Sequence, residues 1–144
     1  MPDRIDSFTG EYSFLSNFYV SPFVHGGINY LTVEHAFQAA KTTDPDEQIR
    51  VASATTPGEA KKLGRKVKLR SDWESVKFRI MEDLLRIKFT SDHYLALQLI
   101  ATGNQELVEG NSWGDRVWGT VNGKGQNHLG KLLMKIRSEL GSGF

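Results

Sequence analysis

The chain has 144 residues, 39% of them hydrophobic and 24% charged, with a formal net charge of +1. That length supports one domain with a real core, burying roughly two-thirds of the surface of the unfolded chain, and the composition argues against disorder and against a global charge excess for nucleic acid. There is no cysteine, which excludes disulfides, thiolate nucleophiles and sulfur-ligated metals.

The opening MPDRIDSFTG lacks the basic-then-apolar order of a signal peptide, and the most apolar run, YLALQLIA, is too short to span a bilayer. A cytoplasmic chain with no membrane partner is expected. Alternation in EYSFLSNFYV and SPFVHGGINY, with Gly26-Gly27 as a turn signal, predicts short strands or a hairpin. From Thr32 the pattern becomes helical. Thr32 suits an N-cap for TVEHAFQAAKT, and Asp44-Pro45 and Thr56-Pro57 each open a short helix, the second ending near Gly64.

A longer amphipathic helix is predicted from about Asp72 to Phe89, with Trp73, Val76, Ile80, Leu84 and Ile87 as its core stripe and Phe78 and Met81 also in packing. Asp92 caps a further helix that stops at Gly103, and ELVEG reads as a strand. The loop NSWGDRVWGTVNGKGQN contains Gly114, Gly119, Gly123 and Gly125 together with Trp113 and Trp118. Flexible linkers are not rich in tryptophan, so this loop is expected to be structured. It leads into a last helix, NHLGKLLMKIRSEL, and a loose tail from about residue 141. The sum is an α+β, mostly helical single domain over 1–144 with a small sheet.

Within LTVEHAFQAAKT, Glu34, Gln38 and Lys41 share one helix face; along the axis Glu34 lies about 6 Å from Gln38 and about 10 Å from Lys41. A ligand the size of a ribose phosphate spans all three, although a solvated helix face looks the same. Asp115 stands between Trp113 and Trp118, a carboxylate flanked by flat apolar surfaces. Carboxylates, aromatic plates such as Phe18, Trp113 and Trp118, and amide donors suit chemistry at a sugar carbon, where an oxocarbenium-like state needs negative charge beside it. His25, His35, His93 and His128 lack metal-ligand spacing, and His35 reads as structural. The basic run KKLGRKVKLR reads mainly as a solvated face, with a nucleic-acid backbone as the weaker alternative.

Five stretches taken in order, FLSNFY, TVEHAFQAAK, LGRKVKLRSDWESVKFRIM, LIATGNQELVEGNSWGD and GKGQNHLGKLLMKIR, run from Phe14 to Arg137. Together they resemble the YbiA-like, or NADAR, family of N-glycosidases. The resemblance implies an α+β domain that hydrolyses N-glycosidic bonds of ribose-phosphate compounds without a metal or redox cofactor. Riboflavin-pathway intermediates and ADP-ribose attached to guanine are the implied substrates, so nucleic acid enters only as a modified substrate. It further implies Glu34 as the catalytic acid residue, Asp115 as a second acid or base and Lys41 as a nucleophile or binding group. Asn17, Phe18, Gln38, Trp113, Gly114, Trp118 and Asn127 are implied substrate contacts, with Arg65 and Arg70 as forks for phosphate. The alternative is a non-catalytic module that binds ADP-ribose or a related nucleotide.

Overall fold

The computed structural model describes residues 3–143. Contacts gather them into two compact units, residues 17–88 and residues 3–16 with 89–143.

In the unit of residues 17–88, strands β2 (Phe23–His25) and β3 (Ile28–Tyr30) pair antiparallel, Phe23 opposite Tyr30. Strand β1 (Arg4–Ile5) belongs to the other unit. The turn between β2 and β3 uses Gly26 and Gly27 at φ 59° and 79°, the left-handed geometry that a two-residue hairpin loop requires. Three short helices follow. In α1 (Val33–Ala39) the Thr32 side chain accepts from His35 N; in α2 (Pro45–Ala52) Asp44 accepts from Asp46 N; in α3 (Pro57–Gly64) Thr56 accepts from Glu59 N. Each cap satisfies a donor that the first helical turn leaves open, and proline starts α2 and α3 where its missing N–H costs nothing.

Helix α4 (Trp73–Ser91) is the longest. Trp73, Met81, Leu84, Leu85 and Lys88 are buried on it, whereas Val76, Phe78, Ile80 and Ile87 are only half-buried. The core stripe is therefore rotated from the expected one. Met81, Leu84, Leu85 and Lys88 follow three- and four-residue steps as regularly as the β-branched set does, and sequence spacing alone does not choose between adjacent stripes. Phe37 of α1 meets Trp73 with ring centroids 5.0 Å apart.

In the other unit, β1 (Arg4–Ile5) pairs parallel with β4 (Glu106–Leu107). Helix α5 (His93–Ala101) is capped by Asp92, whose carboxylate accepts from Tyr94 N and Leu95 N, and Gly103 follows it at φ 64°. Helix α6 (His128–Gly143) packs on α5 and β4. Ile5, Phe14, Leu95, Leu99, Leu107, Leu133 and Ile136 are buried here. Arg137 ties α6 to the end of α5, donating to Thr102 Oγ1 at 2.9 Å and Gln105 O at 2.8 Å.

Two further expectations change. The stretch from Gly10 to Leu15 is a 3-10 helix and not a strand. Phe14 and Leu15 are both buried although adjacent, which an alternating strand would send to opposite faces. The tail expected to be loose from about residue 141 continues α6 through Gly143, with Ser142 Oγ donating back to Ser138 O at 3.0 Å; Phe144 lies outside the described residues.

Candidate functional site

Buried polar side chains gather on and just before α1, where Thr32, Glu34, His35 and Gln38 are all shielded from solvent. Glu34 N donates to the backbone carbonyl of Asn17 at 3.1 Å, so the segment before β2 is fixed to the helix start. The Asn17 side chain is buried as well, with Nδ2 donating to Met81 Sδ at 3.6 Å and Oδ1 without a hydrogen bond. Glu34 is only 8% exposed and Gln38 4%. One turn apart, they are joined by a 2.6 Å hydrogen bond from Gln38 Nε2 to Glu34 Oε2.

Gln38 is fixed from its other side by Gly64. A Cβ at position 64 would fall onto the Gln38 amide, so α3 approaches α1 this closely only with glycine there. That contact turns the face of α3 containing Lys61 and Arg65 toward α1.

The charges follow from this packing. Burial pushes the Glu34 carboxyl above the usual carboxylate range, opposed by the Gln38 hydrogen bond and then by the positive charges of Lys61 and Lys41. Burial lowers the Lys41 ammonium; Glu34 opposes that, while Arg65 and Lys61 add to it. The ionisations of Glu34 and Lys41 are therefore linked, each favouring the charge of the other.

His35, next to Glu34 in sequence, is the last and least of the groups that oppose the effect of burial on that carboxyl, and its own ring bonds are structural. It is fully buried, with Nε2 3.0 Å from Ala54 O and Nδ1 2.8 Å from Thr32 Oγ1. A carbonyl only accepts, so Nε2 bears the proton. This histidine joins α1 to the segment between α2 and α3, as a structural residue would.

Other expected residues fall elsewhere. Arg70 spends its fork on Asp72, with Nε to Oδ1 at 2.6 Å and Nη2 to Oδ2 at 3.1 Å; only its backbone N reaches toward α1, donating to Lys41 O at 2.7 Å. Asp72 therefore competes directly with any phosphate for that guanidinium. Phe18 is exposed.

Asp115, Trp113, Gly114, Trp118 and Asn127 belong to the unit of residues 3–16 and 89–143. The glycine-tryptophan loop there is built from side chain to backbone bonds. Asp115 Oδ1 accepts from Val117 N at 3.0 Å and Trp118 N at 2.9 Å, and Asn111 exchanges two bonds with the backbone of Asp115. Asn127 sits at φ 52°, donating from Nδ2 to Leu107 O and accepting at Oδ1 from Glu109 N. Both ends of its amide hold the loop to the strand region. Trp118 packs edge-on to His128, whereas Trp113 is 64% exposed.

Two residues were not singled out from the sequence. Lys61 was one of six cations in a basic run, and its proximity to Glu34 depends on how α3 docks. Lys88 is buried with its ammonium 5.6 Å from the Tyr19 ring centroid, and burial lowers it to about 7. Its place four residues after Leu84, on the buried stripe of α4, was readable in principle. Among the described residues no group of three or more His, Asp or Glu side chains is arranged to hold a metal ion.

Comparison with known proteins adds an independent line. The NADAR domain family matches residues 6–141. N-glycosidase YbiA of Shigella flexneri serotype 5b is 38% identical over 146 residues, covering 97% of this chain and 91% of that protein. Riboflavin biosynthesis protein VVA0006 of Vibrio vulnificus is 37% identical over 133 residues, covering 90% of this chain but 36% of that longer protein. The NMR structure of the E. coli protein YbiA superimposes with a TM-score of 0.84 at 37% identity, covering 98% of this chain and 87% of that one.

Proposed function

The chain belongs to the NADAR domain family, and from that premise we propose that it is an N-glycosidase cleaving the bond between a base nitrogen and the anomeric carbon of a phosphorylated ribose or an ADP-ribose. The observation that supports this most directly is the buried Glu34 carboxylate, held at 2.6 Å by Gln38 and flanked by cations. The single family domain over 1–144 rests on the family match across residues 6–141.

In the proposed reaction the C–N electron pair leaves with the base, and positive charge develops on the anomeric carbon and ring oxygen. Glu34 stabilises that charge as a carboxylate. In a site shielded from water this interaction is far stronger than in solution, and the Gln38 bond fixes the oxygen in advance, so little reorganisation is needed as charge appears. Water then adds to the anomeric carbon and gives up a proton, and the departing base nitrogen gains one, so that the products are the free base and the sugar with its anomeric hydroxyl.

Lys41 supplies positive charge beside Glu34, opposing the effect of burial on the carboxyl. Asp115 is proposed as a second acid or base on the family resemblance alone, since its Oδ1 already serves loop amides.

Product analysis tests the reading. The purified chain is incubated with a ribosylamino-pyrimidine 5-phosphate and, separately, with ADP-ribosylated guanine, and the free base and sugar phosphate are separated by chromatography. Release of base from at least one of them is expected. Saturable binding of both with no cleavage over hours would instead make the chain a binding module.

A further inference from the structure

We propose that Glu47 of α2 is a positioning residue for Lys41, fixing the turn that carries it. The inference rests on the N-glycosidase reading, in which Lys41 supplies positive charge beside Glu34, and names what holds that charge in place. Lys41 needs outside support because of where it stands. Helix α1 ends at Ala39 with Ala40 as its C-cap, so Lys41 lies just past the helix, where a chain frays unless the turn beyond is bonded. The local bonds there are long: Lys41 N donates to Gln38 O and Thr42 N to Ala39 O, both at 3.3 Å.

The shorter bonds come from other elements. Glu47 Oε1 accepts from Thr42 Oγ1 at 2.8 Å, and that hydroxyl accepts from Asp44 N at 3.1 Å. Gln48, the next residue of α2, donates from Nε2 to Thr42 O at 2.9 Å. Thr42 is buried, and each of its polar groups is thereby engaged. Glu47 also reaches the chain that follows α3, where both of its carboxylate oxygens accept from Lys68 N at 3.2 Å. Two residues further on, Arg70 N donates to Lys41 O at 2.7 Å. Holding Lys68 therefore sets where Arg70 arrives.

The Lys41–Thr42 peptide is thus clamped from two sides, and both clamps trace to one carboxylate. An ionised acceptor suits this task, since bonds to it are shorter and stronger than neutral ones. Glu47 stands in the first turn of α2, where the helix dipole favours its charge, and α2 packs against α1. The groups that act on the Lys41 ammonium are burial, Glu34, Arg65 and Lys61. Glu47 therefore works on Lys41 through bonds and not through its charge.

A double-mutant cycle on the intact chain tests the assignment. Glu47→Ala should lower kcat on a phosphorylated N-riboside about tenfold, the scale of a small misplacement near the chemistry. Glu47→Gln keeps an oxygen for Thr42 Oγ1 and Lys68 N and should stay within about threefold of the parent. In a Lys41→Gln background, Glu47→Ala should change kcat by less than about twofold, because the group it positions is gone, while still lowering the melting temperature as it does in the parent. Equal slowing in both backgrounds would make Glu47 a stabiliser of the fold alone and overturns the proposal, as does a folded Glu47→Ala protein with parental kcat. If Glu47→Ala does not fold, Thr42→Val cuts the same link from the other end and should give the same pattern.

Failure of the positioning is separable from failure of the activity, because Lys41 can be followed without turnover by NMR titration of its side chain. Burial holds that ammonium below the ordinary lysine range. Glu47→Ala should return it toward that range, and Glu47→Gln should not. A chain that cleaves no N-riboside yet shows this return loses the glycosidase and keeps the positioning. Cleavage with equal losses in both backgrounds and an unmoved Lys41 titration does the reverse.

Discussion

Gln38 Nε2 reaches back one helical turn to Glu34 Oε2 at 2.6 Å, and the same amide is walled on its other side by Gly64. The acid's environment is thus set by a residue thirty positions away that contributes no side chain. Because the Gln38 bond holds the Glu34 carboxyl down against burial, disturbing it moves the acid's pKa upward. Gly64→Ala forces the amide aside. It should cost about 1–3 kcal/mol of stability, as overpacking does, and shift the acidic limb of the kcat/KM profile to higher pH. A variant that melts lower with an unshifted profile would show Gly64 acting on packing alone.

Glu34 should also leave a mark on stability. Its folded pKa is raised above the unfolded value of about 4.3, so the folded state binds the proton more tightly. In the window between the two values stability falls as pH rises, and above it the deficit is fully present. Glu34→Gln removes this titration while keeping an oxygen that accepts from Gln38. The variant should melt above the parent at pH 7–8, with the gap closing below about pH 4. Differential scanning calorimetry across that range checks it, and a variant less stable than the parent at pH 7 would contradict the sign.

Lys41 feels the negative charge of Glu34 and the positive charges of Arg65 and Lys61, so its charge is the property that matters in this account. Lys41→Gln should lower kcat/KM about a hundredfold, the scale on which a charged group in a shielded site acts. Lys41→Arg should recover at least a tenth of the parent's rate. An arginine variant as inactive as the glutamine one would mean that the amine itself reacts with the sugar.

Asp115 is separable from its loop by chemistry. Asparagine at this position keeps an oxygen to accept from Val117 N and Trp118 N, while alanine loses it. A part in proton transfer predicts that Asp115→Asn lowers kcat at least tenfold without changing the melting temperature. Parental activity in that variant, with loss only in Asp115→Ala, would assign Asp115 to loop shape.

The elements that sequence reading located were those with local causes. Thr32, Asp44, Thr56 and Asp92 each accept from an amide two or three residues on, and Gly26-Gly27 satisfies a backbone demand within its own turn. Errors arose where two local patterns compete. The segment Gly10–Leu15 has strand-like alternation but buries two adjacent side chains, and α4 offers two apolar stripes between which only packing decides. In the candidate site, the face of Glu34, Gln38 and Lys41 was readable because it lies on one helix. Lys61 was not, since its position depends on the docking of α3 through Gly64, a relation between residues far apart in the chain. The partners of Arg70 and Asn127, which are Asp72 for the one and Leu107 and Glu109 for the other, were not readable either, because motifs mark positions without naming partners.

The most direct measurement is the initial rate of base release by the Glu34→Gln protein at saturating phosphorylated N-riboside, beside the parent and with folding verified by circular dichroism. The account predicts a loss of at least two to three orders of magnitude with near-parental substrate affinity, because the lost interaction forms chiefly in the transition state. A folded variant that releases base at the parental rate would contradict it.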